Sequence, residues 1–533
     1  MPDFADRYNP GMAFSFTRRQ LSLGGVGLLG AQTGTRGAGL CLNEDCNHFF
    51  YTRAGRRITS GEVDAWVDQY AGTQVRELML NVNAMRTSYA SSVWDPWWRG
   101  YDPNAGDDQP LFASLAPDAR KVMRGWIHAA WQLNQDGIDI YARWISRARR
   151  HGLSPWISMR MNDVHNADDE RSPMHNEFWR SHPEFRRVRY RSAALTDRAL
   201  DYARTEVYEH AMQLVRELAA RYDFDGLELD WMRFGFHFRP GFESEGAAIL
   251  TRFTTEVRGL LDGWEKKRGH RIQLGARVAS RPATALGLGM DAAAWAREGL
   301  IDLLVVTPFW ATIEPDMPIE EWTGLLRGTK TTLAAGLEVL LRAHPDARPY
   351  LNNSLETVRG AASALLDRGA DRVYLFNYMD LNLPAEMKND YPALLREAGS
   401  LATMAGKPRR HVLTYPDTWA PGEARAIPLP AECRKDQWLA FRLPVGPKPQ
   451  TGRALALLAI EGVEPEQLRG WRVLVNGAPC ASRGSVVLDK PCPPMPAFAF
   501  DVPAAALNRG YNVIEVQPQG QGRVLWVELA IRG

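Results

Sequence analysis

Apolar and polar positions alternate with period two through residues 222–233 (YDFDGLELDWMR). Successive side chains of a strand point to opposite faces. Leu227, Leu229 and Trp231 therefore share one face, and Gly226, Glu228, Asp230 and Met232 share the other. An apolar face backed by an acidic one suits a closed parallel barrel, where one side packs on helices and the other lines the interior and its mouth.

The same reading, carried from residue 38 to about 404, finds eight strand-like runs. They are Gly39 to Asn43, Arg76 to Val82, Trp156 to Asn162, Gly226 to Asp230, Ile272 to Val278, Leu303 to Thr307, Leu333 to Leu337 and Arg372 to Asn377. Helical spacing of three to four separates several of them. It joins Ile138, Tyr141, Ile145 and Ala148; Ala211, Leu214, Val215 and Leu218; and Ala361, Leu365 and Leu366. Eight strand-helix units predict an α/β fold, a (β/α)8 TIM barrel over residues 38–405. A Trp-rich insertion of about residues 84–133 follows strand two. Past Gly406 the runs shorten and alternate, punctuated by Gly, Pro and Asn. Residues 406–533 therefore predict an antiparallel, jelly-roll-like β-sandwich, a candidate carbohydrate-binding domain or a plain buttress.

Composition narrows the function. A chain of 533 residues needs more than one core, and its formal charge of +2 offers no field for nucleic acid. The 18 tryptophans are the unusual feature; flat rings suit the faces of sugars. The five cysteines lack paired C-x-x-C spacing, so no structural zinc and no disulfide framework is expected. No apolar run is long enough to span a bilayer. Thr17-Arg18-Arg19-Gln20-Leu21, followed by a short Gly-softened apolar run, is similar to a twin-arginine export signal. Residues 1–37 are thus expected to be a leader, and the protein to be exported, periplasmic or extracellular. Nothing in the sequence speaks to oligomeric state.

In such a barrel the site lies at the C-terminal ends of the strands. Side-chain parity points Cys41 and Asn43, Asn81 and Asn83, Arg160 and Asn162, Glu228 and Asp230, Gln273, Gly275 and Arg277, Gly336 and Glu338, and Asn377 inward. A ring of Asn, Arg and carboxylate marks a ligand mouth. Glu228, Asp230 and Glu338 are the candidate catalytic acids. Glycosidic hydrolysis needs one carboxyl to protonate the leaving oxygen and a second to attack or to activate water. Burial against Arg160 or Arg277 would account for these acids without catalysis. Asn43, Asn81, Arg86, Trp97, Trp98, Arg160, Asp163, Arg277, Trp310, Asn377, Tyr378 and Asp380 are the candidate substrate contacts. No cofactor and no metal is expected, and neither a P-loop nor a G-x-S-x-G elbow occurs.

Residues 224–231 (FDGLELDW) resemble the strand-four signature of glycoside hydrolase barrels, nearest in spelling to the family-18 chitinases, D-G-x-D-x-D-x-E. Asp225, Glu228 and Asp230 match in register, and Met232 stands where that family places its acid. The resemblance implies a glycosidase-like barrel without carrying over the chitinase mechanism. Residues 471–477 and 510–516 resemble galactose-binding-like jelly rolls. The expected function is therefore a glycoside hydrolase. Its rivals are a carbohydrate-binding protein on a catalytically dead barrel, and a metal-dependent barrel hydrolase using His165, His237 and nearby acids.

Overall fold

The computed structural model describes residues 38–191, 194–379, 385–450 and 452–532. The leader expected at 1–37, and Asp380, lie outside them. Eight parallel strands close into a barrel: β1 (Leu40–Glu44), β2 (Val75–Asn81), β3 (Ser154–Arg160), β4 (Gly226–Asp230), β5 (Gln273–Ala279), β6 (Leu303–Thr307), β7 (Thr332–Glu338) and β10 (Arg372–Phe376). A small hairpin, β8 (Leu340–Leu341) with β9 (Leu351–Asn352), follows β7. The helical spacings become the helices Ile140–Arg150, Thr205–Arg221 and Leu355–Asp367. The insertion after β2 is mostly irregular and ends in the helix Pro117–Gln135.

Parity divides the barrel strands as expected except the last, where Tyr374 and Phe376 point inward and Asn377, expected inward, lies just past the strand end on the opposite parity. Leu227 and Leu229 join the large core between strands and helices, while Cys41, Met79, Trp156, Leu303, Val305, Ala334, Tyr374 and Phe376 form a separate cluster inside the barrel. Trp156 fills the floor because two neighbours lack a side chain. A Cβ at Gly226 would lie 2.3 Å from its indole, and one at Gly275 2.9 Å. Closure sets side chains level with one another. Arg160 pairs with Asp230 and Asp230 with Arg277, and Glu338 pairs with Phe376.

Beyond Met404 two antiparallel sheets follow. One has the order β11 (Arg409–Val412), β20 (Gly522–Arg532), β14 (Arg453–Glu461), β18 (Ala497–Val502), β17 (Ala481–Val486), with β12 (Ala431–Cys433) also on β20. The other runs β13 (Leu439–Pro444), β19 (Tyr511–Gln517), β15 (Arg472–Val475), β16 (Ala478–Pro479). The helix Leu355–Asp367 of the barrel lies directly on β11: a Cβ at Gly360 would sit 2.0 Å from the Arg410 carbonyl oxygen. Under that contact Arg410 and Glu528 form a buried ion pair at 2.6 Å. No helix among the described residues is long and apolar enough to cross a membrane.

Candidate active site

The deepest polar group inside the barrel is Glu228. Its Oε1 accepts from Ser158 Oγ at 2.7 Å and from Tyr374 Oη at 2.9 Å. Asn43 Nδ2 donates to the same tyrosine oxygen at 2.9 Å and approaches Ser158 Oγ at 3.3 Å. Four strands, β1, β3, β4 and β10, are thus tied across the barrel axis. Glu228 is fully buried and its Oε2 has no hydrogen-bond partner among the described residues. Burial, and then the charge of Asp230, pushes its carboxyl well above the usual carboxylate range.

One layer up, Arg277 Nη1 donates to both oxygens of Asp230, at 3.0 and 3.2 Å. Met232 N donates to Oδ1 at 3.0 Å. The arginine carbon lies 3.8 Å from the Phe376 ring centroid, so the guanidinium sits over an aromatic face. Both members of the pair are sealed, with side chains 0% and 1% exposed. Arg277 therefore serves Asp230 and is not a free substrate contact. Met232 is fully buried.

Glu338 ends β7. Its Oε1 accepts from Asn377 Nδ2 at 2.9 Å and from the Val339 amide at 3.1 Å. Its backbone carbonyl accepts from Tyr378 Oη and Asn353 Nδ2, each at 3.0 Å. The peptide is clamped from two sides while Oε2 is left without a partner among the described residues. Burial pushes this carboxyl up to about 8, against the opposing pull of the Asn377 bond and of the Arg233 and Arg277 charges. At neutral pH Glu338 holds its proton, the state a general acid needs.

A second charged group caps the strand ends. Arg160 Nη2 meets Asp45 at 2.6 Å, and Nη1 meets Asp163 at 3.4 Å. Burial works to raise the Asp45 carboxyl, but the Arg160 guanidinium overrides it and holds it at about 2. Burial opposes ionisation of Asp163 too, and the His165 and Arg160 contacts hold it below its usual range. His165 Nδ1 lies 2.8 Å from Asp163, and its Nε2 lies 3.1 Å from Arg233 Nη2. An arginine can only donate, so Nε2 accepts and Nδ1–H points to the carboxylate. Both ring nitrogens are occupied. His237 is buried between Trp231 O at 2.8 Å and Asn162, and burial pushes its imidazole down to about 3. Neither histidine of the metal-dependent rival presents a free nitrogen in this arrangement. Among the described residues no group of three or more His, Cys, Asp or Glu could hold a metal ion.

The other sequence candidates divide sharply. Asn81 donates to Ser158 O and accepts from Cys46 N. Arg86 gives its guanidinium to the carbonyls of His175, Trp97 and Arg99. Trp97 is 0% exposed, edge-on to Phe50 and Trp126. Asn81 ties β2 to β3 and to the loop after β1, while Arg86 and Trp97 hold the insertion together; all three are buried, which corrects the expectation of substrate contact. Asn43 and Arg160 are likewise committed to protein partners, and Tyr378 acts through the Glu338 peptide. Trp98 and Trp310 keep partly exposed faces. Trp310 sits 6.0 Å from Tyr350 in the loop after β6. That loop is pinned from the C-terminal part of the chain, where the Asp417 carboxylate accepts from the amides of Phe309, Trp310 and Ala311 at 2.8, 2.7 and 2.7 Å.

Asp45, Ser158, Arg233, Tyr374 and Asp417 were not singled out by the sequence. Parity could have found Ser158 and Tyr374, which share faces with Arg160 and Phe376. Asp417 carries no such signal, since it lies more than a hundred residues from its partners.

No protein-family model matches the chain, and no curated protein does. Several solved structures are similar to it. The glycoside hydrolase domain of PgaB (BpsB) from Bordetella bronchiseptica is 12% identical, with a TM-score of 0.38 over 68% of this chain and 99% of that one. A chitinase from Chromobacterium violaceum is 10% identical, with a TM-score of 0.35 over 68% and 99%. A family 20 β-N-acetylglucosaminidase is 13% identical, with a TM-score of 0.37 over 69% and 72%. These likenesses assign no residue of this site.

Proposed function

We propose that the chain is a glycoside hydrolase that cleaves an oligo- or polysaccharide at the mouth of the barrel. Glu338 protonates the leaving oxygen, and Asp230, the inward carboxyl that ends β4, is the second group, attacking the anomeric carbon or polarising a water. The observation that carries this reading is the Glu338 carboxyl, raised to about 8 at a strand's C-terminal end with one oxygen unpartnered among the described residues. Asp230 complements it. Arg277 donates to both its oxygens, and among the described residues Oδ2 receives only the longer 3.2 Å bond. Glu228, one layer below and tied to Tyr374, positions β4 and is not asked to touch substrate.

The test is a screen of polysaccharides with reducing-sugar detection, run on the wild type, E338Q and D230N. Turnover lost in both variants supports the reading; turnover retained in E338Q ends it. The anomer released, followed by NMR, assigns retention or inversion, which need carboxyl separations of about 5 Å and about 6.5–9.5 Å respectively. A binding protein on a dead barrel is the second reading. Met232, a buried thioether at the position of the family-18 acid, favours it. A binding protein has no turnover in the wild type and keeps its sugar affinity in both variants. We also propose that residues 1–37 direct export, tested by fractionating cells that express the full chain.

A further inference from the structure

The insertion after β2 leaves a cavity of about 160 Å3 between its loop and the turn joining the helices Pro117–Gln135 and Ile140–Arg150. None of its lining residues belongs to the acid cluster. We propose that this cavity is a second, non-catalytic sugar site that takes one uncharged pyranose unit of a glycan. This does not rest on the hydrolase reading.

Size comes first. A cavity of about 150 Å3 already admits a six-membered carbon ring, and this one has half-exposed residues at its edge, Asn134 and Asp139, where hydroxyls could project to solvent. The walls come second. Trp98, Phe50 and Leu133 line one part of it, which offers flat apolar surface to the C–H face of a sugar. Trp98 is partly exposed, unlike its neighbour Trp97. Free donors come third. Asn134 and Trp98 both line this space, and among the described residues no hydrogen bond engages the side chain of either. Two other polar side chains of the lining are paired. Ser88 is bonded to Val82 O and Tyr141, and Tyr89 to Glu217.

Charge decides the class of ligand. The lining contains one carboxylate, Asp139, and one guanidinium, Arg221. They are paired with each other at 2.8 Å, and Asp139 also caps the following helix through Ala142 N at 3.2 Å. No uncompensated charge faces the cavity, so an anionic sugar gains nothing there and a neutral one loses nothing.

The test is affinity gel electrophoresis of the full chain through a soluble β-glucan, a galactomannan and a xylan, each in turn, with alginate as the acidic comparison. The expected result is retardation by at least one neutral polymer and none by alginate. That retardation should persist in E338Q, and the response to substitution at Asn134, which lines this cavity and lies outside the acid cluster, separates this site from the barrel mouth. It should weaken about five-fold in N134A, the worth of one hydrogen bond, and vanish in W98A. Asn134 is half-exposed, so N134A decides the matter if W98A fails to fold. Migration of the wild type unaffected by all three neutral polymers overturns the proposal. So does retardation that N134A leaves unchanged, which would place the binding elsewhere.

Discussion

Asn377 gives its side-chain amide to Glu338 Oε1 across 2.9 Å from a left-handed backbone position, φ +61°. Asparagine is among the few residues with a side chain that accept that region. The site thus spends an uncommon conformation on orienting one carboxyl. In N377G the backbone is satisfied and the hydrogen bond is lost. That bond favours the ionised form, so its loss raises the Glu338 pKa further. The alkaline limb of the pH–rate profile is expected to move up by roughly half a unit to one unit. N377A should show the same shift plus about 1 kcal/mol of backbone strain in a denaturant melt.

Glu338 itself links activity to stability. Its folded pKa, about 8, lies above that of an unfolded glutamate. The folded state therefore binds the proton more tightly. Its contribution is complete below the unfolded value, about 4.3, and is lost as pH rises through about 8. E338Q cannot ionise. It should remove that part of the decline in melting temperature between pH 5 and pH 9 while lowering kcat by roughly 10²–10⁴. A melting curve as steep in E338Q as in wild type over that range would show the carboxyl to be ionised throughout.

The Arg277–Asp230 pair should behave as a unit. R277M leaves a buried carboxylate unpaired and is expected to cost about 3–5 kcal/mol. R277M/D230N removes both charges and should recover a large part of that. A double-mutant cycle from urea titrations measures the coupling, and additive costs would mean that the two side chains do not interact.

Gly226 tests the barrel floor. G226A places a methyl 2.3 Å from the Trp156 indole, and overpacking of this kind costs about 1–3 kcal/mol or more. Making W156L as well should restore much of the loss. Thermal melts of the single and double variants check this.

Much of this was legible in the sequence. The eight strands were readable because each is a short apolar run between helical spacings, and period two then sorted Leu227 from Glu228. Parity stopped working where strands stop. Tyr374 and Phe376 occupy the inward positions of the last strand, and Asn377 reaches Glu338 only because its backbone turns left-handed just beyond. The choice of ionic partners was hidden. Arg160 on β3 takes Asp45 just past β1 and Asp163 past its own strand, while Arg277 takes Asp230 on the adjacent β4. No local spacing records which of several acids will be nearest. Trp97 and Trp98 make the same point at shorter range. Adjacent and identical in type, one is core and the other lines a cavity, and only the fold of the insertion separates them.

The three amides gathered by Asp417 have a practical consequence for anyone trimming this protein. A chain ended after residue 405 would keep every barrel strand, and on paper would be a whole catalytic unit. It would also lose the anchor of the Phe309–Ala311 corner, along with the sheet that roofs the helix at Gly360. The dividing line drawn by topology is not the line along which the molecule can be cut.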